Sequence, residues 1–266
     1  MICDFHLHSN FSGDSHEDPE KIINTCIDLG MSDMCFTDHQ DFNFKYKPGY
    51  FDLNCDKYFE ELIALKEKYK SKINIGIGLE IGLEPHLTET TEKFCNKKPY
   101  DFIIASTHLI EGLDPYYPEY FDNYGEKEGF RRYFEFTLKS INQAQNFDVF
   151  GHIDYIKRYA PNKDKNYILS EYMDIIDEIL KALIQKGKGI EINTAPLYKG
   201  FDKTNPQIEV IKRYQELGGE IITVGSDAHI STNVGYGFDI AKDILIHCGY
   251  NYYCIFKERQ VEYITL

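Results

Sequence analysis

An α/β barrel is the fold this sequence predicts, and two observations predict it. Seven β-type runs alternate with amphipathic helical runs, and a histidine or acidic residue stands at the end of nearly every β-type run. Alternation implies parallel strands joined by crossover helices, and about seven such repeats suffice to close a barrel. The strand candidates are residues 2–5, 34–37, 73–79, 102–106, 147–151, 189–193 and 220–225.

The connecting elements follow in order. Asp18-Pro19 supplies an N-cap and a first-turn proline, Ile22, Ile23, Cys26 and Ile27 share one face, and Gly30 ends the helix. Phe59, Leu62, Ile63 and Tyr69 repeat more loosely over residues 56–70. Residues 109–129, rich in Tyr, Pro, Asp and Gly, read as a long loop over one end of the barrel. After Ser170, Tyr172, Ile175, Ile176, Ile179, Leu180 and Leu183 follow the helical period. Residues 251–256 and 260–265 read as a closing hairpin around Lys257-Glu258-Arg259. No repeat or linker divides the chain, so residues 1–266 are expected to form one domain.

Composition narrows the function. A chain of 266 residues, 42% hydrophobic, has enough apolar content for a sizeable core. Its formal charge of −14 disfavours a broad basic face for nucleic acid. No apolar stretch reaches the roughly 20 residues that span a bilayer, so no membrane partner is expected. Met1-Ile2-Cys3-Asp4-Phe5-His6 lacks the basic-then-apolar pattern of a signal peptide. Seven cysteines without a C-x-x-C pair read as reduced thiols of a cytoplasmic protein.

The chemistry lies at the strand ends. His6 and His8 follow the first run, His39 the second, Glu80 the third, His108 the fourth, His152 the fifth, and Asp227 and His229 the seventh. In a β/α barrel all these ends point to one face, so the side chains converge there. Singly, each is an ordinary strand-end residue. Jointly, imidazoles mixed with carboxylates suit Zn, Mn or Fe, and their number exceeds what one ion needs. Clustered ions of this kind serve metal-assisted hydrolysis. Other phosphatase routes are missing: no cysteine precedes an arginine by six positions, and no Asp-x-Asp, G-x-x-x-x-G-K-[ST] or G-x-S-x-G occurs.

Several motifs then carry a resemblance. Asp4-Phe5-His6-Leu7-His8-Ser9 with Asp14-Ser15, Phe36-Thr37-Asp38-His39, Gly78-Leu79-Glu80, Ala105-Ser106-Thr107-His108, Gly151-His152-Ile153-Asp154 and Gly225-Ser226-Asp227-Ala228-His229 make the chain similar to the PHP (polymerase and histidinol phosphatase) family. Within it, Ser106-Thr107-His108 before Asp114-Pro115-Tyr116-Tyr117, Lys157-Arg158-Tyr159 and Glu191-Ile192-Asn193-Thr194 resemble the monofunctional histidinol-phosphatase branch. The resemblance implies a distorted (β/α)7 barrel and three divalent transition-metal ions. The first ion would be held by His6, His8, Glu80 and Asp227, the second by Glu80, His108 and His152, and the third by Asp14, His39 and His229. His16 is the rival for Asp14.

The implied reaction is hydrolysis of a small phosphomonoester, L-histidinol phosphate, by a metal-bridging hydroxide, with Glu80, Asp227 and Arg158 as catalytic groups. Arg158 matches phosphate bidentately. Lys199 and Tyr117 are further substrate contacts, with Tyr116, Tyr120 and Phe121 in the same aromatic segment. Asp38 and Asp154 are candidates to orient imidazoles. One departure stands out: where the branch carries Ser-Gly-Leu-Arg, this chain has Ala195-Pro196-Leu197-Tyr198, so a tyrosine replaces an arginine. The alternatives are another phosphomonoester or phosphotyrosine as substrate, and an inert metal-binding module.

Overall fold

The computed structural model describes residues 2–266. Strand β1 (Asp4–Leu7) leads to helix α1 (Pro19–Asp28), then β2 (Asp33–Phe36), a two-residue β3 (His39–Gln40) and α2 (Cys55–Tyr69). β4 (Asn74–Gly82), α3 (Thr88–Cys95), β5 (Phe102–Ser106), α4 (Pro118–Gln143) and β6 (Val149–Phe150) follow. The chain continues through α5 (Met173–Gln185), β7 (Gly189–Asn193), α6 (Ala195–Tyr198), α7 (Ile208–Glu216), β8 (Ile222–Gly225) and α8 (Phe238–His247). It ends in β9 (Tyr252–Lys257) and β10 (Gln260–Thr265).

The sheet runs β1-β2-β4-β5-β6-β7-β8, all parallel, with β3 pairing β4 beyond β2. Just past β8 the ends meet. Asp227 donates its N–H to the His6 carbonyl at 2.8 Å, and His8 donates to Ala228 at 3.0 Å. The fold is therefore a distorted (β/α)7 barrel in which β2 and β3 form one bent strand. The bend extends β4 upward, so Glu80 sits within that strand, register-paired with His39, rather than closing it. β1 likewise lies further along than residues 2–5, which carries His6 inside the strand.

One apolar cluster runs from Ile2 to Phe256 and fills the space between sheet and helices. Each parallel strand is buried on both faces, as a helix-covered sheet requires. The closing hairpin pairs antiparallel, with Glu258 and Arg259 both at positive φ, the twist-matched two-residue turn. Arg259 Nε donates to Asp148 at 2.6 Å, and Phe256 stacks on Phe102 at 5.0 Å. The hairpin thus covers the end of the barrel opposite the strand ends. All seven cysteines are buried and free. No helix among the described residues is long and apolar enough to cross a membrane.

Residues 109–129 are not one long loop, which corrects the composition-based expectation. The helix starts at Pro118 and continues to Gln143, broken only by a kink at Gly125. Proline at the first turn and glycine at the kink look like loop signals locally. Burial of Tyr120 and Phe121, with Tyr120 donating to the Gly129 carbonyl at 2.7 Å, decides for helix. Both rings therefore belong to the core and not to the barrel mouth.

Candidate metal centre

The strand ends bring the sequence-predicted side chains into one cluster. Glu80 lies at its centre. Its Oε2 is 3.1 Å from His6 Nε2, 3.4 Å from His8 Nε2 and 3.0 Å from His39 Nδ1. Its Oε1 is 2.8 Å from His152 Nε2, 3.2 Å from His108 Nε2 and 2.7 Å from Ser106 Oγ. Asp227 Oδ1 stands 3.4 Å from His8 Nε2 and 3.8 Å from His6 Nε2. Asp14 Oδ2 faces His229 Nε2 at 3.1 Å and His39 Nε2 at 3.8 Å. Neither Asp14 nor His16 belongs to a metal-competent group among the described residues, but Asp14 lines the cavity and faces two of the imidazoles, whereas His16 does not line it.

Two positions are held in a left-handed backbone conformation that non-glycine residues rarely adopt: His152 at φ 26° and Asp227 at φ 53°. Each stands two residues past the end of its strand, β6 and β8, where the turn aims the side chain inward.

Serine and carboxylate partners hold the imidazoles. Ser12 Oγ lies 3.0 Å from His8 Nδ1, accepts the His39 N–H at 3.0 Å, and donates to Asp38 at 2.8 Å. Asp38 thus acts on two histidines through Ser12 rather than directly. Asp154 orients no imidazole: it is tied up in a buried ion pair with Lys157 at 2.6 Å. The carboxylate that does hold His108 is Asp41, at 2.9 Å from Nδ1. Sequence reading missed Asp41 because only the β3–β4 pairing brings it there. A Cβ on Gly82 would lie 1.9 Å from its Oδ1, which explains the glycine.

The electrostatics are those of a site built for cations. Burial favours neutral forms, yet His6, His39 and His108 hold Glu80 well below the usual carboxylate range. Asp227 is held low in the same way. Burial lowers His6, but Glu191, Glu80 and Asp227 overcome it and raise it well above the histidine range. His39 is pushed up to about 9 by Glu80 and Asp14 against its burial. His8, crowded by burial and by His229 and His39, is held low. Buried polar atoms normally find partners. Here His6 Nε2, His8 Nε2, His39 Nδ1, His152 Nδ1, His229 Nε2 and Glu80 Oε2 have none. Interleaved nitrogen and carboxylate donors, orphaned and buried, fit divalent transition metals.

A cavity of about 240 Å³ opens over the cluster, and its wall carries the cations. The Arg158 side chain is buried, with Nε and Nη2 unpaired and Nη2 3.7 Å from Asp227 Oδ2. Tyr155 and Tyr159 flank its guanidinium. Lys199 lines the same cavity. Tyr198 donates its hydroxyl to the Asp227 carbonyl at 2.7 Å, bracing the strained turn. Tyr117 is not in this cavity. It stacks on Tyr46 at 3.7 Å and lines an adjoining space of about 420 Å³ with Asp114, Tyr116, Tyr155 and Tyr159.

Comparison with known proteins now adds to this geometry. The profile of the PHP domain matches residues 4–195, well over half of the chain. The chain belongs to the PHP domain family. Among its relatives, a "Histidinol-phosphatase" of Lactococcus lactis is 34% identical over 97% of this chain and 96% of its own length. A "Probable histidinol-phosphatase" of Clostridium acetobutylicum is 36% identical over 93% of this chain and 94% of its own. Among solved structures, the histidinol phosphate phosphatase of Lactococcus lactis complexed with zinc, L-histidinol and phosphate superposes with a TM-score of 0.90, at 33% identity over 98% of each chain.

Proposed function

We propose that this chain is a metal-dependent phosphomonoesterase acting on L-histidinol phosphate, releasing L-histidinol and inorganic phosphate. Arg158 is the observation that carries the reading: a buried guanidinium with unpaired donors, sharing one cavity with the orphaned imidazole and carboxylate atoms. A dianionic phosphoryl group would satisfy the guanidinium donors, and cations held by the orphaned imidazole and carboxylate atoms would face the same group. The Lactococcus relative, matched over nearly its whole length and complexed with L-histidinol and phosphate, supports the substrate.

The donor set suits three divalent ions, Zn, Mn or Fe. His6, His8, Glu80 and Asp227 would hold one, Glu80, His108 and His152 a second, and Asp14, His39 and His229 a third. When bound, such ions supply the Lewis acidity that neutralises phosphoryl charge and activates water.

The chain's own residues do the rest. Arg158 fixes the phosphate by its planar fork, and Lys199 adds charge at the cavity mouth. Glu80 and Asp227 keep the imidazoles converged. In the adjoining space, Tyr117, Tyr155 and Tyr159 offer aromatic faces and Asp114 a carboxylate. That combination suits the imidazole and ammonium groups of the leaving alcohol.

The test is phosphate release from L-histidinol phosphate by the purified, manganese-supplied protein, beside sugar phosphates, a nucleoside monophosphate and phosphotyrosine, with a chelator-treated control. Chelator-sensitive release with a preference of about 100-fold or more for histidinol phosphate is expected, since a site built around polar groups rejects analogues that lack them. Release from the panel but not from histidinol phosphate would remove this substrate and retain the hydrolase. No release from any ester, with metals bound, would leave an inert module.

A further inference from the structure

We propose that Glu191 is a positioning residue: one buried carboxylate that sets which nitrogen of His6 faces the metal centre and anchors the strained backbone of His152. The inference rests on the reading of His6 and His152 as metal-holding groups.

β7 is the strand whose end supplies no candidate ligand, and Glu191 lies in its middle, 1% exposed. Its Oε1 stands 2.5 Å from His6 Nδ1 across the barrel. Its Oε2 accepts the His152 backbone N–H at 3.1 Å and the Asn193 side-chain amide at 3.2 Å. Glu191 therefore reaches β1, the β6 turn and its own strand at once. Both of its oxygens are taken up by these bonds, an arrangement for holding its neighbours.

Two consequences follow from this bonding. An acceptor on Nδ1 fixes a proton there, which leaves Nε2, facing Glu80 and Asp227, as the nitrogen that would take a metal ion. The second oxygen holds the N–H of the residue whose φ of 26° is the most unusual near the cluster. Released from that bond, the turn relaxes and the His152 ring swings away from Glu80.

Neighbouring glycines reserve the space this carboxylate fills. A Cβ on Gly225 would lie 2.5 Å from Glu191 Oε1 and 2.3 Å from His6 Cβ. One on Gly151 would lie 2.9 Å from Ser106 Oγ and 3.3 Å from Glu191 Oε2.

Glu191→Gln is the diagnostic change, because it keeps the volume. Three donors point at two carboxylate oxygens, and glutamine offers one oxygen and an amide that cannot accept. At least one donor is left without a partner. Zinc affinity measured against a competing chromophoric chelator should fall about 10- to 100-fold, the usual cost of losing a partner of a metal-bound histidine. In the zinc-loaded protein the strongly hydrogen-bonded Nδ1 proton of His6, visible in the imidazole NMR spectrum, should move upfield or vanish. Glu191→Asp, charged but shorter, should recover part of the affinity and serves if the glutamine variant does not fold. Unchanged zinc affinity and an unchanged His6 proton in a folded variant would overturn the proposal, even if melting temperature fell. Absence of zinc binding by the unaltered protein would instead overturn the metal-centre reading itself.

Discussion

Replacing Arg158 by methionine keeps most of the bulk and removes the charge, which separates a phosphate-binding arginine from a structural one. Its nearest carboxylate oxygen is 3.7 Å away, too far for a hydrogen bond, and two of its donors are unpaired. At an effective dielectric near 20, attraction over that distance is roughly 4 kcal/mol. Burying an ion costs several kcal/mol, so the two effects nearly offset. Arg158→Met should then unfold within about 1 kcal/mol of the unaltered protein. Turnover should suffer far more. Two charge-assisted hydrogen bonds to a phosphoryl group are worth about 3–4 kcal/mol together. That converts to a loss in kcat/KM of roughly 10²- to 10³-fold. Steady-state phosphate release, with inhibition by inorganic phosphate, is the assay. The inhibition constant for phosphate should rise with the loss, and Arg158→Lys should restore charge without the fork and recover only part. A loss under about tenfold with unchanged phosphate inhibition, or a stability drop beyond about 3 kcal/mol, would refute this reasoning.

Two further outcomes are expected. Burial, with Asp41 adding to it, pushes the Glu84 carboxyl from 4.5 up to about 7. Its protonated form stabilises the fold below pH 4.5, and that contribution is lost as pH rises through 7. Glu84→Gln keeps the acceptor for the Gly112 N–H at 3.1 Å. It should come close to the unaltered metal-free protein at pH 5 and exceed it by about 1 kcal/mol or more at pH 8 in denaturant titrations. A variant no more stable at pH 8 would discard that account. Stripping metals should lower the melting temperature by about 8–16 °C, taking about 4 kcal/mol for a tightly bound ion and 2–4 °C per kcal/mol. Identical melting curves with and without chelator would mean the cluster holds no metal.

Much of this site is legible along the chain because its pieces are local. The alternation of His6 and His8 in one strand is visible without a structure, and so is a histidine or acid after successive β-type runs. Barrel topology then does the converging, since parallel strands place like ends on one face. The helix of residues 118–143 was hidden for the complementary reason: its proline, glycine and acidic residues signal a loop locally, and only burial of Tyr120 and Phe121 outweighs them. Tyr198 shows the same limit. As a replacement for an arginine it reads as a loss of charge, whereas in three dimensions it ties down the Asp227 turn.

By itself, the sequence determines the α/β barrel, the order of its strands and the residue types that ring its mouth, because period and punctuation are short-range properties of a chain. Tertiary structure alone decides which carboxylate serves which imidazole. Glu191 meets His6 across 185 positions and Asp41 meets His108 across 67. No pattern within a strand encodes such pairs. They exist because closing the sheet brings β1 between β2 and the end of β8, and because glycines at 82, 151 and 225 leave room for a buried carboxylate to reach its partner.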